Sequence, residues 1–265
     1  MHDKAKLIRK NCVQMVHNAN ASHLGSALSI VDILNALYAD FLNTAPHNQD
    51  WEDRDRLLLS KGHACVALYS TLAEYGYFPK DDLLSYGEDF SDLMNHVSHK
   101  VPGVEFSTGS LGHALPFGVG KALAAKRLNK SWKTVVILSD GELGEGSNWE
   151  AFLSASHHKL DNLLVIVDYN KLQSLTTVEE TLNLEPLVDK FLAFGWAIQE
   201  VDGHNHETLV DTFNEFPFEA DKPSLVLTHT TKGKGVSFME NSVDWHYKSP
   251  SKEQLESAIK EIENA

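Results

Sequence analysis

No stretch of the chain reaches the roughly 18 consecutive apolar residues that a membrane-spanning helix needs, so no membrane partner is expected. The opening residues, Met1 to Arg9, are polar and mixed in charge, without the apolar centre of a secretory signal. Cysteine is scarce, and the two present, Cys12 and Cys65, both fall in apolar helical patterns. That argues against a disulfide framework and leads to the expectation of a reduced, cytoplasmic setting. Positive charge is scarce too. Against 37 acidic side chains stand 23 Lys and Arg, for a net charge of −14, and no basic cluster stands out. Duplex binding needs a concentrated basic surface, so no nucleic-acid partner is expected. An acidic protein that handles phosphates must gather its few cations locally, which makes single Lys and His residues informative.

Internal repeats, low-complexity tracts and obvious linkers are also missing. The expectation is a single domain over 1–265, with a helical N-terminal portion (about 1–50) and a charged final helix (252–263). Helical spacing appears at Leu7–Ala19. A second helix is expected from Ser29, with Asp32 as its capping pair, to about Leu42, and further helices over Ala64–Tyr75 and Gly112–Arg127. The second half alternates more regularly. Thr134–Leu138 and Leu163–Val167 read as buried strands, Trp196–Val201 and Ser224–Thr228 as two more, with helices expected at Asn148–Lys159, Leu187–Phe194 and Glu207–Phe216. Short β-branched runs separated by helices predict an α/β fold, a doubly wound, mostly parallel sheet with helices on both faces.

Ligands of such sheets bind beyond the carboxyl ends of the strands. One strand runs into Ser139-Asp140-Gly141-Glu142 and another into Asp168-Tyr169-Asn170-Lys171-Leu172. If the two are neighbours, Asp140 and Asn170 project into one crevice. With a loop carbonyl and ligand oxygens they suit Mg²⁺, which prefers octahedral oxygen coordination. Gly141 would let the backbone approach a phosphate closely. Taken alone, Asp-Gly is also a common turn pair and a strand-end Asn a common turn residue.

The company this pair keeps resembles a known family. Ser139-Asp140-Gly141, with 28 residues between Gly141 and Asn170, is similar to the thiamine-diphosphate motif, which opens with Gly-Asp-Gly and closes with Asn. Ser139 is a departure from it. The resemblance extends over nearly the whole chain and is closest to the transketolases. It implies that Asp140, Asn170 and the Leu172 carbonyl bind Mg²⁺ or Ca²⁺, with Gly141 against the diphosphate of thiamine diphosphate.

Other blocks match in order. Ser22-His23-Leu24-Gly25-Ser26 resembles the segment whose histidine faces diphosphate and substrate. Asp55 to His63 resembles the block whose last residue, His63, contacts the diphosphate. His96, seven residues before Gly103, falls at a substrate-facing histidine. Ser107 to Gly112 is similar to the loop supporting the aminopyrimidine through Gly109 and Leu111. Gly144-Glu145-Gly146 with Glu150 resembles the acidic segment linking paired active sites, and Glu145 is counted with the cofactor-binding set. Thr231 to Gly235 and Trp245-His246 resemble the late loop that supplies a diphosphate-side lysine, Lys232, and a substrate histidine, His246. Tyr247 stands where the family has Gly.

Of the 14 histidines, His157-His158 read as a packed or solvated helix face, and His204 and His206 as capping or turn residues. The latter lack the i,i+4 spacing and the third ligand of a metallohydrolase. His23, His63, His96 and His246 sit in or beside glycine-containing loops, where imidazole can donate to phosphate or hydroxyls and move protons near neutral pH. Without the resemblance each reads as an exposed loop residue.

The resemblance also implies what is missing, namely the pyrimidine domain and the glutamate that activates the cofactor. The expectation is therefore the diphosphate-binding subunit of a split transketolase of sugar-phosphate (pentose phosphate) metabolism. It would act with a C-terminal subunit carrying the pyrimidine domain in an α2β2 heterotetramer, and transfer a two-carbon ketol unit between sugar phosphates. The helix from Gly112 to Arg127 either faces that partner or packs on its own sheet. Alternatives are another thiamine enzyme, such as a deoxyxylulose-phosphate synthase or the α subunit of a 2-oxoacid dehydrogenase, or a non-catalytic phosphate-binding subunit.

Overall fold

The computed structural model describes residues 2–265. The N-terminal portion is helical, with α1 (Asp3–Asn18), α2 (Leu24–Leu28) and α3 (Val31–Ala36), the last running into a π-helical turn at Leu37–Phe41. After β1 (Arg56–Leu59) come α4 (Cys65–Glu74), a long irregular segment and α5 (Ala114–Arg127). The rest alternates: β2 (Thr134–Ser139), α6 (Gly146–His157), β3 (Leu163–Tyr169), α7 (Val178–Thr181), α8 (Leu187–Ala193), β4 (Ala197–Asp202), α9 (His206–Asn214), β5 (Ser224–His229) and α10 (Lys252–Asn264). Among the described residues no helix is long and apolar enough to cross a membrane.

Among the described residues the five strands are all parallel, in the order β1-β2-β3-β5-β4. Alternation along the central strands divides two apolar layers. Val135, Ile137, Leu164, Ile166 and Val226 face a core shared with α1, α3, α4, α9 and α10. Val136, Leu138, Val165, Val167 and Leu227 face a second core with α5, α6 and α8. Burial on both faces is why these strands read as continuous apolar runs. Strand β4 lies at the edge, half-exposed and carrying Glu200 and Asp202, charges that discourage pairing with another chain. Cys12 and Cys65 are both buried thiols, and burial pushes Cys65 up to about 12.

The helix expected from Ser29 to about Leu42 is present as α3 and its π-helical turn, over residues 31–41, but Ser29 and Asp32 form no capping pair. The Ser29 hydroxyl, with one hydrogen to give, lies 2.9 Å from the Ser26 carbonyl and 2.7 Å from Asp168, so its local capping role is lost to a partner on β3. Asp32 is held by Arg9 and His204. The reciprocal capping box occurs at α10, between Ser251 and Gln254. Helix α5 packs on its own sheet: a Cβ on Gly118 would stand 2.6 Å from Val136, so only glycine allows this approach. His157 and His158 are solvated.

Candidate active site

Four adjacent strands deliver their carboxyl ends to one cleft of about 270 Å³. Strand β1 leads into Ser60-Lys61-Gly62-His63, β2 into Asp140-Gly141, β3 into Asn170 and Leu172, and β5 into Lys232. The N-terminal helices add His23, the irregular segment His96, Gly109 and Leu111, and a late 3₁₀ turn His246. Every residue singled out from the sequence for catalysis, cofactor or metal lines this cleft except Glu145. That side chain is exposed at the start of α6 and packs against Gly112 instead.

Asp140 ends β2 at 1% exposure. Its Oδ1 accepts the Gly141 N–H at 2.7 Å and its Oδ2 the Lys171 N–H. Among the described residues it enters no ion pair within 4 Å. Burial pushes its carboxyl up to about 7, and neighbouring Asp168 adds to the rise. A buried carboxylate that lacks a cationic partner suits a metal ion. Asn170 stands beside it because β2 and β3 pair in register, Ser139 opposite Asp168. The Asn170 amide nitrogen donates to Asp168 at 3.0 Å, which turns its oxygen toward the Leu172 N–H at 3.1 Å. The donors are thus a carboxylate, an amide oxygen and the Leu172 carbonyl. Among the described residues no three His, Cys, Asp or Glu side chains converge on a point. The set therefore fits a hard cation completed by ligand oxygens, as Mg²⁺ or Ca²⁺ is, better than a transition metal. Lys171 holds φ 65°, a strained value for a residue with a side chain, in the turn between these donors. A Cβ at 141 would stand 2.9 Å from the Gln173 side chain, which would have to swing aside to admit it. Ser139 causes no strain: its hydroxyl accepts the Glu142 N–H at 3.3 Å.

Lys232 is buried at 1% exposure. Its ammonium donates to the carbonyls of Leu172 at 3.3 Å and Gln173 at 2.8 Å, and shares a 3.0 Å hydrogen bond with His246 Nδ1. Burial, with Lys61 nearby, lowers it to about 8. Beyond it four imidazoles cluster. The ring of His23 lies 5.3, 5.7 and 5.0 Å from those of His63, His96 and His246. Burial lowers all four. His96 and Lys232 depress His23 further, to about 4, and Lys232 and His23 bring His246 to about 3. Neutral imidazoles at physiological pH can both donate to and accept from hydroxyls. His23 adopts φ 69° and donates its N–H to the His246 carbonyl at 2.7 Å, so strained backbone fixes this pair. Tyr247, 60% exposed, stacks its edge on His246 with ring centres 4.7 Å apart and forms a lip of the cleft.

Three buried groups escaped the sequence reading. Lys61, which lines the cleft, forms an ion pair with Asp168, and Asp168 also accepts from Ser29, Asn170 and Thr230. Glu142, fully buried, accepts from the Ser60 hydroxyl and from the Gly112 N–H at 2.8 Å, tying the end of β1 to the loop carrying Gly109 and Leu111. Its only sequence signal was its place two residues after Asp140, in a run where Glu145 is equally acidic.

A family model described as transketolase, thiamine diphosphate binding domain, matches residues 1–262. Over 96% of its length the chain is 43% identical to one of the subunits of the apulose-4-phosphate transketolase of Phocaeicola vulgatus, covering 90% of that protein. It is 38% identical over 99% of its length to a 6-deoxy-6-sulfo-D-fructose transketolase subunit of a Clostridium species, covering 96% of it. The transketolase structure from Campylobacter jejuni superposes with a TM-score of 0.93 at 32% identity, over 98% of this chain but only 42% of that one.

Proposed function

This chain belongs to the transketolase family through its thiamine-diphosphate-binding domain, and from that premise we propose that it is the cofactor-binding subunit of a two-subunit transketolase acting on sugar phosphates. The reading rests on one convergence: Asp140, Asn170 and the Leu172 carbonyl meet in a cleft, Lys232 bridges from them to His246, and three more imidazoles lie beyond. Asp140, Asn170 and Leu172 would hold Mg²⁺ or Ca²⁺, and His63, Lys232 and the bare backbone of Gly141 the diphosphate. Gly109 and Leu111 would support the aminopyrimidine through their backbone. Glu145 and Glu150, both exposed, fit a subunit-facing role better than a cofactor contact. Thiamine diphosphate, when bound, supplies the carbanion stabilisation that C–C cleavage requires. His23, His96 and His246 would orient the sugar hydroxyls and move protons at them, which contributes roughly 10²–10⁴-fold in typical sites.

The partner would be a subunit carrying the pyrimidine domain, in an α2β2 assembly. Two relatives are named for a phosphorylated and a sulfonated sugar. A ketose ending in an anionic group is accordingly the proposed substrate class, its anion recognised mainly by the partner. The test compares the chain alone with the complex it captures from its source cells, supplied with thiamine diphosphate and Mg²⁺. Ketol transfer from xylulose 5-phosphate to ribose 5-phosphate or another phosphorylated acceptor is expected only from the complex, and should be lost on Asp140→Ala. Activity from the chain alone would overturn the two-subunit reading.

A further inference from the structure

The motif Asp202-Gly203-His204-Asn205 sits at the turn between β4 and α9. Its two neighbouring histidines have separate partners: His206 faces Asp40 at 3.2 Å, whereas His204 is built into a buried array. His204 Nδ1 lies 2.8 Å from Asp32 Oδ2, and its Nε2 lies 2.8 Å from the Thr231 backbone nitrogen. A backbone N–H can only donate, so Nε2 must accept. The ring hydrogen then sits on Nδ1 and is donated to Asp32. The Arg9 guanidinium grips the same carboxylate at 2.9 and 2.6 Å, and its Nε donates to the Lys234 carbonyl at 3.1 Å. Arg9 balances the charge of Asp32.

One carboxylate on α3 thereby controls both ends of the segment Thr231–Lys234, through His204 at Thr231 and through Arg9 at Lys234. Between those two points lies Lys232. The contact is close: a Cβ on Gly203 would stand 2.4 Å from the Thr230 methyl group. Helix α1, helix α3 and the end of β4 meet the Lys232 loop at this one array.

We propose that Arg9, Asp32 and His204 form a positioning unit that holds Lys232 at the diphosphate end of the cleft. The inference rests on the assignment of that cleft to thiamine diphosphate. None of the three residues lines the cleft, so each acts through the lysine loop. A unit that only stabilised the fold would affect cofactor affinity independently of Lys232.

The experiment is a double-mutant cycle on the full chain in complex with its partner, with thiamine diphosphate affinity at fixed Mg²⁺ read by calorimetry. His204→Phe removes both hydrogen bonds. His204→Gln, whose amide oxygen can accept from Thr231, is the conservative variant. The expected result is an affinity about 10- to 100-fold weaker for His204→Phe, the range of outer-shell changes at metal sites, with partial rescue by His204→Gln. In a Lys232→Met background neither substitution should weaken binding further. Unchanged affinity in His204→Phe, or the same loss again in the Lys232→Met background, would overturn the proposal. If His204→Phe does not fold, the His204→Gln cycle decides by the same criterion. Failure of the parent complex to bind thiamine diphosphate would overturn the cofactor assignment itself, and this inference with it.

Discussion

Lys61, at the wall of the cleft, and Asp168 form an ion pair with side-chain exposures of 1% and 0%. Burial alone would raise the Asp168 carboxyl, but Lys61, together with the hydroxyls of Thr230 and Ser29, outweighs it and holds the group below its ordinary value. The same carboxylate takes the amide hydrogen of Asn170, so the pair also fixes which atom of Asn170 faces the proposed metal. Lys61→Met leaves a buried charge uncompensated and is expected to cost about 3–5 kcal/mol. Urea unfolding of the two chains measures it. A loss under about 1 kcal/mol would mean that the hydroxyls of Ser29 and Thr230 suffice to hold Asp168.

The sequence made the central strands legible because runs such as Thr134–Leu138 are buried on both faces, and the chemistry legible where Asp140-Gly141 and Asn170 follow such runs. Strand ends slipped by a residue or two because pairing continues into polar residues, Ser139 on β2 and His229 on β5. Ser29 looked like a helix cap because capping is a local pattern, whereas its actual partner is 139 residues away. Lys61, Glu142 and Asp168 were hidden for the same reason. Nothing local separates a buried, paired acid from a solvated one, and the acid chosen by resemblance in this segment, Glu145, faces solvent.

Asp140 should matter to stability and to binding, and the two can be read apart. Its carboxylate is buried without an ion-pair partner, but both oxygens accept backbone N–H groups, so Asp140→Asn turns its amide nitrogen against one of those donors and is expected to cost the ligand-free chain about 1–3 kcal/mol. Thiamine diphosphate with Mg²⁺ at 100 times the dissociation constant should stabilise the parent by about 2.7 kcal/mol and the variant not at all. Thermal unfolding with and without ligands reads both quantities. Equal ligand stabilisation of the two proteins would remove Asp140 from the metal site.

The histidine cluster gives the apo chain an acid-sensitive arm. In the folded protein His23 titrates at about 4 and His246 at about 3, against roughly 6.5 in an unfolded chain. Below about pH 6.5 the unfolded chain therefore binds protons that the folded chain refuses, and stability, full above that pH, falls as pH falls. Asp140, pushed up to about 7, contributes the opposite slope, because the folded chain keeps a proton that the unfolded chain gives up above about pH 4. Denaturant titrations in the Asp140→Asn background remove that opposing term. They should show stability dropping by about 1 kcal/mol or more between pH 7 and 5, with a shallower slope on adding His23→Asn. A flat profile would contradict neutral imidazoles in the cleft.

Two glycine-to-alanine changes should act with opposite sign, and the contrast tests how the cofactor loop is held. Gly62 follows Lys61, and a Cβ there would stand 2.4 Å from the Thr108 carbonyl oxygen, a backbone atom that cannot swing aside. The surrounding bonds leave little slack. Gly62 accepts the Val97 N–H at 3.2 Å, Val97 accepts the Thr108 N–H at 3.1 Å, and the Thr108 hydroxyl donates to Leu59 at 2.7 Å. The added methyl must push the segment carrying His96, Gly109 and Leu111 away from β1. Gly62→Ala is expected to cost about 1–3 kcal/mol of stability through overpacking, and to weaken thiamine diphosphate binding because the displaced backbone is what would support its ring. Gly120, inside α5 with nothing within 4 Å of a Cβ, should instead gain roughly 0.5–1 kcal/mol on Gly120→Ala, from helix propensity alone. Unfolding curves and cofactor titrations on both variants make the comparison. If Gly62→Ala binds the cofactor as Gly120→Ala does, the Gly109–Leu111 loop is not held in place through Gly62, and its proposed role under the aminopyrimidine loses its structural basis.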